Sequence, residues 1–352
     1  MKIVTRVFGL FGIFALAIGL WVGQALAAED ARVLQEQRVA QLIDTSAFKK
    51  DGPYKIGVSA GYLANSWVVF ALQHIKYEAS LHKEISKVLV TDAAFSPAKQ
   101  VSDIEDLISK GVSLILYWPV DDKAIEGALK KAVDKGIPTI NTGGGYVHSP
   151  SVTASAFIDQ WNLGEMGARR LFQDMGGKGK IFAMLPIPGT TAAVDQLAAL
   201  KSVMKEYPGI ELLSAEYGDW NRAKAKQITE NLLQKHSRID GVFSPAGQMS
   251  IGVAEAFDES GRLGEVTMSP GDEYNGWLKW VGKHKQGGAV TFPTRVGQEA
   301  LRLGLRILRG ETVRRGLRIS SEYITPGAAG SYAETNRPDD WWSSNLPEAW
   351  KP

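Results

Sequence analysis

Residues 54–91, YKIGVSAGYLANSWVVFALQHIKYEASLHKEISKVLVT, place two short apolar runs on either side of a longer amphipathic stretch. The runs Lys55 to Ser59 and Lys87 to Thr91 are rich in β-branched residues and predict strands. The window 66–82 between them has the apolar periodicity of a helix. A strand, a helix and a strand in this order form a right-handed crossover, so we expect the two strands to be parallel in one sheet.

The same alternation continues along the chain in two sets. Further strands are predicted in the first set at Ser113 to Tyr117 and Pro138 to Asn141, and in the second set at Lys180 to Leu185, Glu211 to Glu216, Gly241 to Ser244, Glu265 to Met268 and Gly288 to Thr291. Helices are predicted at about 97–110, 122–135, 160–175, 191–206, 221–236, 248–260 and 295–309. The sequence therefore predicts an α/β protein with two Rossmann-like parallel-sheet lobes.

The first 27 residues are predicted to be a secretory signal peptide. Lys2 and Arg6 give a positive start, residues 7–22 form an uncharged apolar run, and Ala25-Leu26-Ala27 fits a signal-peptidase site. We therefore expect cleavage near Ala27 and a periplasmic protein. An uncleaved anchor helix is the alternative, although the apolar run is near the short end for crossing a bilayer.

The composition excludes several classes of function. The 352-residue chain has 40 Lys and Arg against 38 Asp and Glu, and removal of Lys2 and Arg6 with the signal peptide leaves 38 of each. A chain without net charge offers no overall field for a polyanion, so nucleic acid is not an expected partner. The chain has no Cys, which excludes a lipidated N-terminal Cys, disulfides and thiol catalysis. Because the five His lack metal-ligand spacing, neither a metal nor another cofactor is expected.

The residues that follow the predicted strands are the candidate binding site, because ligands of open α/β sheets lie at the carboxyl ends of the strands. Trp67, Trp118 and Trp220 lie at three separate strand exits. An indole face packs on the C–H face of a sugar or polyol, and neighbouring amides and carboxylates bind its hydroxyl groups. The candidate ligand-binding residues are Tyr62, Asn65, Trp67, Trp118, Asn141, Thr190, Asp195, Gln196, Trp220, Gln248 and Asp272.

The alternative for any one of these Trp side chains is that it only fills a gap between elements. That packing role is the one we assign to six further Trp residues, namely Trp161, Trp277, Trp280, Trp341, Trp342 and Trp350.

One pattern makes a secreted serine hydrolase the enzymatic alternative. Gly57-Val58-Ser59-Ala60-Gly61 matches the G-x-S-x-G signature of a nucleophile elbow. In an α/β-hydrolase the elbow follows several earlier strands, whereas Ser59 ends the first predicted strand, so we expect neither enzyme activity nor a catalytic residue. Gly143-Gly144-Gly145 lacks the Lys and Ser or Thr of a phosphate-binding loop. Asp121 and Asp122 are expected to cap a helix.

Over about residues 54–325, the motifs in their order and spacing resemble a known family. They are Ile56-Gly57-Val58-Ser59 leading to Asn65-Ser66-Trp67, Gln100 with Asp103 to Ile108, Gly111-Val112, Trp118-Pro119-Val120-Asp121, Gly136-Ile137-Pro138, Pro188-Gly189-Thr190, Ile239 to Phe243, and Ser269-Pro270-Gly271-Asp272. The chain resembles the type I periplasmic solute-binding proteins of the ribose/galactose-binding group, the capture subunits of sugar ABC importers.

The resemblance implies two lobes joined by three crossovers, with hinges near Ala156, Thr291 and Tyr323. The implied organisation is a signal peptide at 1–27, a leader helix and linker at 28–53, an N-terminal lobe at 54–156 plus about 292–323, a C-terminal lobe at 157–291 and a C-terminal tail at 324–352. The family's function implies a monomer that carries a neutral sugar or polyol to an inner-membrane ABC permease and its ATPase. The alternative is a periplasmic sensor that presents a sugar-like or quorum signal to a membrane kinase.

The family's ligand contacts match this chain only in part. Asn65 and Trp67 stand where the family's Asn and aromatic residue hold the sugar, Trp220 stands where an aromatic residue stacks, and Asp272 matches a hydroxyl-binding Asp. By contrast, Gly143-Gly144 stands where ribose binders have Asp-Arg. Gln196 stands near an Arg position, and Ala246 replaces an Asn. The resemblance therefore argues against ribose and against a charged ligand, and in favour of a bulkier neutral one. Asp195-Gln196, with Pro245 nearby, resembles the pair used by quorum-signal-binding relatives.

Overall fold

The computed structural model describes residues 32–352, so the predicted signal peptide, its cleavage site and the anchor alternative all lie outside the described residues. From residue 32 onward, no helix is long and apolar enough to cross a membrane. Strands and helices alternate through two separate parallel sheets. The predicted two-lobed α/β class is confirmed.

The N-terminal lobe is built on a six-stranded parallel sheet with strand order β3-β2-β4-β5-β6-β14. Its strands are β2 (Tyr54–Ala60), β3 (Ile85–Asp92), β4 (Leu114–Trp118), β5 (Thr139–Gly143), β6 (Ala154–Ile158) and β14 (Gly316–Ile319). Its helices are α2 (Ser66–Ser80), α3 (Pro97–Ser109), α4 (Asp122–Asp134) and α10 (Val296–Leu308). The short strands β6 and β14 were not predicted from the sequence.

The C-terminal lobe is built on a four-stranded parallel sheet with strand order β10-β9-β7-β8, beside a three-stranded sheet of order β11-β12-β15. Its strands are β7 (Lys178–Leu185), β8 (Gly209–Tyr217), β9 (Gly241–Phe243), β10 (Thr267–Met268), β11 (Gly271–Asp272), β12 (Ala289–Val290) and β15 (Tyr323–Ile324). Its helices are α5 (Gln160–Asp174), α6 (Thr191–Met204), α7 (Arg222–Lys235), α8 (Gly247–Glu259), α9 (Asn275–His284) and α11 (Ala329–Tyr332).

Side-chain caps fix where the helices begin at the strand exits. Asn65 Oδ1 accepts hydrogen bonds from the backbone N–H groups of Trp67 (2.9 Å) and Val68 (3.4 Å), which starts α2. Asp121 caps α4 and Thr190 caps α6 in the same way. Because each cap directly follows a strand exit, the first turn of each helix is held at the carboxyl edge of its sheet.

The segment predicted as a leader and linker belongs to the N-terminal lobe. Residues 32–40 form helix α1, and β1 (Leu42–Ile43) pairs antiparallel with β13 (Val313–Arg314). Thr45 is buried, and its hydroxyl donates to the carbonyl oxygen of Glu311 at 2.6 Å. Residues 42–49 are therefore part of the folded N-terminal lobe rather than a free linker.

Within residues 32–352, the chain crosses from one lobe to the other after β6, after β12 and after β14. Two of these passages lie close to the predicted hinges at Thr291 and Tyr323. The hinge predicted near Ala156 lies just before the first passage, because Ala156 is inside β6 and pairs with Thr142 on one side and Leu317 on the other. The passage follows Ile158, the last residue of that strand.

The segment predicted as a C-terminal tail packs against both lobes. Trp341, Trp342 and Leu346 are buried, although they follow the last strand of the fold. Trp341 packs edge-on against Phe70 of the N-terminal lobe, with ring centroids 4.9 Å apart, while its carbonyl oxygen accepts from the Asn275 N–H of the C-terminal lobe at 3.1 Å. The sequence assignment of Trp341 to packing is therefore confirmed.

Candidate ligand-binding site

A cavity of about 140 Å³ lies between the two lobes, at the carboxyl ends of the strands of both sheets. Its walls include ten of the eleven candidate residues named from the sequence, and they come from both lobes. They are Tyr62, Asn65, Trp67, Trp118, Asn141, Thr190, Gln196, Trp220, Gln248 and Asp272. The strand exits of two separate sheets therefore converge on one site, as expected for a ligand held between parallel-sheet lobes.

Trp67 and Trp118 form an indole wall that depends on a glycine. A Cβ atom at Gly143 would lie 2.4 Å from Trp67 Cη2 and 3.2 Å from Trp118 Nε1. The backbone of Gly143 also has φ +89°, a conformation that L side chains rarely adopt. The Trp67 ring therefore occupies the space that a side chain at position 143 would need, so a larger residue there would displace the ring.

Aromatic residues from both lobes meet at the rim of the cavity. Tyr62 stacks on Phe95 of the same lobe, with ring centroids 4.7 Å apart and 4° between the planes, and lies 6.3 Å from the ring of Trp220 across the cleft. Asp219 and Trp220 both have left-handed backbone conformations, with φ +55° and +51°. Such strain costs about 1–3 kcal/mol per residue and is typical of functional loops. Here it directs the Trp220 ring towards the opposite lobe.

Four residues that line the cavity each carry a buried polar side-chain atom without a hydrogen-bond partner among residues 32–352. These atoms are one donor, Trp118 Nε1, and three acceptors, Asn141 Oδ1, Gln196 Oε1 and Asp122 Oδ1. The other polar atom of each amide side chain is already used, because Asn141 Nδ2 donates to the Gly145 carbonyl (2.6 Å) and Gln196 Nε2 to Gln160 Oε1 (2.9 Å). These bonds fix the orientation of the two amides and leave both amide oxygens, which are buried, without a donor.

Two adjacent carboxyl groups are buried between the cavity and the passage after β12. Burial raises the pKa of Asp272 to about 7, although its Oδ1 accepts from the N–H groups of Gly247 (2.8 Å) and Tyr274 (3.3 Å). Burial, with Asp272 beside it, raises the pKa of Glu273 to about 8. Only Asp272 of the two lines the cavity, where its carboxyl can accept hydrogen bonds from hydroxyl groups.

Phe292 joins the binding site to the passage between the lobes. Its carbonyl oxygen accepts from Trp67 Nε1 of the N-terminal lobe at 2.9 Å, and its N–H donates to Glu273 Oε1 of the C-terminal lobe at 2.9 Å. Phe292 itself lines the cavity. A residue of the connecting segment is thus bonded to both lobes next to the indole wall, so the cavity shape depends on the position of that segment.

Gln100, which the sequence reading used only as a family motif, positions the exit of β4. Its side chain is fully buried; Nε2 donates to the Trp118 carbonyl oxygen at 2.7 Å and Oε1 accepts from the Val120 N–H at 2.8 Å. The backbone on both sides of Pro119 is therefore held by one amide, which orients the Trp118 indole.

Three side chains differ from their sequence assignments. Asp195 does not line the cavity; burial and the nearby Asp159 carboxylate raise its pKa to about 6, with Arg32 opposing the shift, so its surroundings are α1 and the start of α5. Trp342, assigned to packing, is buried and also lines the cavity. Asp122, assigned to capping, lines it as well, whereas the cap of α4 is Asp121.

The enzymatic alternative has no support at Ser59. The Ser59 side chain is fully buried within β2, and its Oγ accepts a hydrogen bond from Gln100 Nε2 at 3.3 Å rather than facing a base. Across residues 32–352 no group of His, Asp and Glu is arranged to hold a metal ion. The described residues that line the cavity include neither Lys nor Arg, so the site lacks a cation for an anionic ligand.

Two sheet-based lobes around an aromatic, polar cleft define a ligand-binding receptor. A family model described as periplasmic binding protein domain matches residues 56–312. The chain belongs to this family, which consists of binding proteins and not of enzymes.

Curated relatives and a solved structure agree with this membership. The chain is 30% identical over 209 residues to the ribose import binding protein RbsB of Bacillus subtilis, covering 59% of this chain and 67% of that protein. It is 24% identical over 314 residues to RbsB of Haemophilus influenzae, covering 88% and 97%. An ABC transporter solute-binding protein of Bacillus halodurans, solved with myo-inositol bound, has the same fold, with a TM-score of 0.75, 22% identity and coverage of 80% and 98%.

Proposed function

We propose that this chain is the substrate-binding component of an ABC importer and that it holds a neutral sugar or polyol between its lobes. The observation that carries the proposal is the cavity lining, which combines the indoles of Trp67, Trp118 and Trp220 with residues that hold unpartnered polar atoms, a donor on Trp118 and acceptors on Asn141 and Gln196. A hydroxyl group both donates and accepts, so a polyol matches such a mixed set. The absence of Lys and Arg among the described lining residues disfavours an anion.

The relatives support the same class of ligand. Two of them are named as ribose import binding proteins, and the solved relative holds myo-inositol. In this chain the Trp67 ring lies against Gly143, so one wall of the site is a flat indole rather than a charged pair. Such a wall favours a ring or polyol with an extended C–H face.

The proposed mechanism couples binding to closure of the lobes. The N-terminal lobe, taken as 32–158 with about 292–319, supplies Asn65, Trp67 and Trp118, and the C-terminal lobe supplies Gln196, Trp220 and Asp272. A ligand that contacts both groups at once binds the closed form better than the open one and shifts the population towards it. The permease can then distinguish loaded from empty receptor. We further propose that the protein acts as a periplasmic monomer after cleavage near Ala27.

A thermal-shift screen of the mature chain tests the function. The panel contains ribose, allose, xylitol, myo-inositol, glucose and galactose, with glutamate, phosphate and spermidine as charged controls. A neutral ligand at about 100 times its Kd should add about 2.7 kcal/mol of unfolding free energy and raise Tm by about 5 °C. Trp118→Ala should abolish the shift, and Trp161→Ala, a Trp outside the cavity lining, should keep it. A response to the charged controls alone would refute the proposal.

A further inference from the structure

The C-terminal strap, defined as residues 334–350, is fastened to the C-terminal lobe by one buried side chain. Asn275 Nδ2 donates to the carbonyl oxygens of Glu334 (3.0 Å), Arg337 (3.3 Å) and Pro338 (2.8 Å), and its Oδ1 accepts from the Glu334 N–H at 2.9 Å. Asn275 is 2% exposed. Detachment of the strap would leave the buried Asn275 amide without these hydrogen-bond partners, which costs free energy. The strap is therefore a stable part of the fold.

The same strap is fastened to the N-terminal lobe along one face of α2. The α2 residues Ser66, Phe70, His74 and Tyr77 are spaced by four, four and three positions, which places them in one stripe. Their partners in the strap are, in that order, Trp342, Trp341, Ser344 and Trp350. The strap therefore runs along about three turns of α2 and joins the lobes in addition to the passages described above.

Trp342 is the point at which the strap reaches the cavity. Its Nε1 donates to Ser66 Oγ at 2.9 Å, and its ring lies edge-on to Tyr274 of the C-terminal lobe with centroids 5.9 Å apart. Ser66 stands between Asn65 and Trp67, which both line the cavity, and Trp342 lines it too. One indole thus contacts the first turn of α2, the opposite lobe and the space between them.

We propose that Trp342 is a ligand-facing wall of the binding site, so that the strap sets the affinity and the size limit for the ligand. This inference rests on the proposed function, because it needs a neutral ligand in the cleft. The indole fills the space between α2 and Tyr274, so its removal enlarges the cavity towards the strap. The hydrogen bond to Ser66 also holds the turn that presents Asn65 and Trp67.

Isothermal titration calorimetry of the mature chain with ribose, xylitol and myo-inositol tests the inference. Trp342→Ala should weaken binding of the tightest of the three by about tenfold or more. Ser66→Ala removes only the hydrogen bond and should weaken it by about threefold. The matched control is Trp350→Ala, which removes a strap indole from the same α2 face but outside the cavity lining, and its affinity should stay within about twofold of wild type.

The outcomes separate this inference from the proposed function. If the wild-type chain binds none of the three ligands, the proposed function fails for them and the inference fails with it. If wild type binds and Trp342→Ala binds equally well, only the inference is overturned. Equal losses in Trp342→Ala and Trp350→Ala, matched by equal losses of Tm, would make the strap a general stabiliser and also overturn it. If Trp342→Ala does not fold, the affinity of Ser66→Ala tests the inference instead, and an affinity equal to that of wild type overturns it.

A gain of larger ligands is the second expected result. Trp342→Ala should bind a disaccharide such as sucrose or trehalose at concentrations where wild type shows no heat, because the enlarged cavity admits a second ring. Trp350→Ala should show no such gain. An unchanged size limit in Trp342→Ala, together with weakened ribose, xylitol or myo-inositol binding, would overturn the part of the inference that concerns ligand size.

Discussion

Asp272→Asn is expected to stabilise the ligand-free protein at pH 8 and to weaken ligand binding at the same pH. Burial raises the pKa of Asp272 from 3.8 to about 7. The difference corresponds to about 4 kcal/mol of unfolding free energy that is lost when the carboxyl ionises inside the fold. For an acid with a raised pKa, the loss is absent below pH 3.8, grows as the pH rises to about 7, and is constant above it.

The substitution isolates this cost because an amide keeps the existing backbone bonds. The Asn oxygen can still accept from the N–H groups of Gly247 and Tyr274. Arg295 is present in both proteins, whereas Glu273 loses the Asp272 charge that helps to raise its pKa to about 8, so easier ionisation of Glu273 adds to the gain of the variant at pH 8. We expect Asp272→Asn to gain up to about 4 kcal/mol over wild type at pH 8 and almost nothing at pH 4.

Urea denaturation at pH 4 and pH 8 measures the stability difference, and calorimetry at pH 8 measures affinity. The control is Asp103→Asn, which replaces a carboxylate on α3 that pairs with Lys99 at 2.8 Å and should gain no stability at pH 8. Affinity of Asp272→Asn should fall by about tenfold, because an ionised acceptor binds a hydroxyl more strongly than an amide does. A stability difference that does not change with pH would refute the burial argument, and an unchanged affinity would remove Asp272 from the site.

Four further predictions follow from the same structure. Gly143→Ala should cost about 1–3 kcal/mol of unfolding free energy and most of the ligand affinity, because its Cβ would collide with Trp67 at 2.4 Å; wild-type affinity would contradict the indole wall. Trp118→Phe removes an unpartnered donor and should weaken binding about fivefold with little change in Tm, whereas Trp277→Phe, which loses a bond to the Gly288 carbonyl in the core, should lower Tm and spare affinity. Burial lowers the pKa of His74 to about 4, so wild type should lose stability relative to His74→Gln as the pH falls from 6.5 to 4. Denaturation at both pH values measures this, and a stability difference that is the same at both would contradict a buried neutral imidazole. X-ray scattering should give a smaller radius of gyration with saturating ligand, and equal radii would contradict lobe closure.

Most of the candidate site follows from strand positions, which the sequence reveals well. A parallel strand is a short β-branched run that ends where the polarity changes, so Trp118 at the end of β4 and Asn141 near the end of β5 are visible in the sequence. Because all strands of a parallel sheet end at one edge, side chains far apart in sequence converge there. That rule needs no knowledge of side-chain packing, and ten of the residues it selects line the cavity.

The residues whose sequence assignment differs from their position in the structure depend on packing that no local pattern encodes. Asp195 and Gln196 are neighbours on α6, and one step along a helix rotates a side chain by about 100°, so Gln196 lines the cavity and Asp195 faces Asp159 and Arg32. Trp342 is held at the cavity by long-range contacts, the Asn275 bonds to the strap and its own bond to Ser66, which no local pattern in the sequence reveals. A buried Trp with no strand before it looks like core in the sequence.

The crystal structure of the mature protein with the neutral sugar or polyol that gives the largest thermal shift tests the central claim most directly. The account predicts one ligand in the cavity between the lobes, with hydroxyl groups within about 3 Å of Trp118 Nε1, Asn141 Oδ1, Gln196 Oε1 and an Asp272 oxygen. Its C–H face should pack on the Trp67 or Trp220 ring. A ligand bound elsewhere on the protein, or held in the cleft by one lobe alone, would contradict the account.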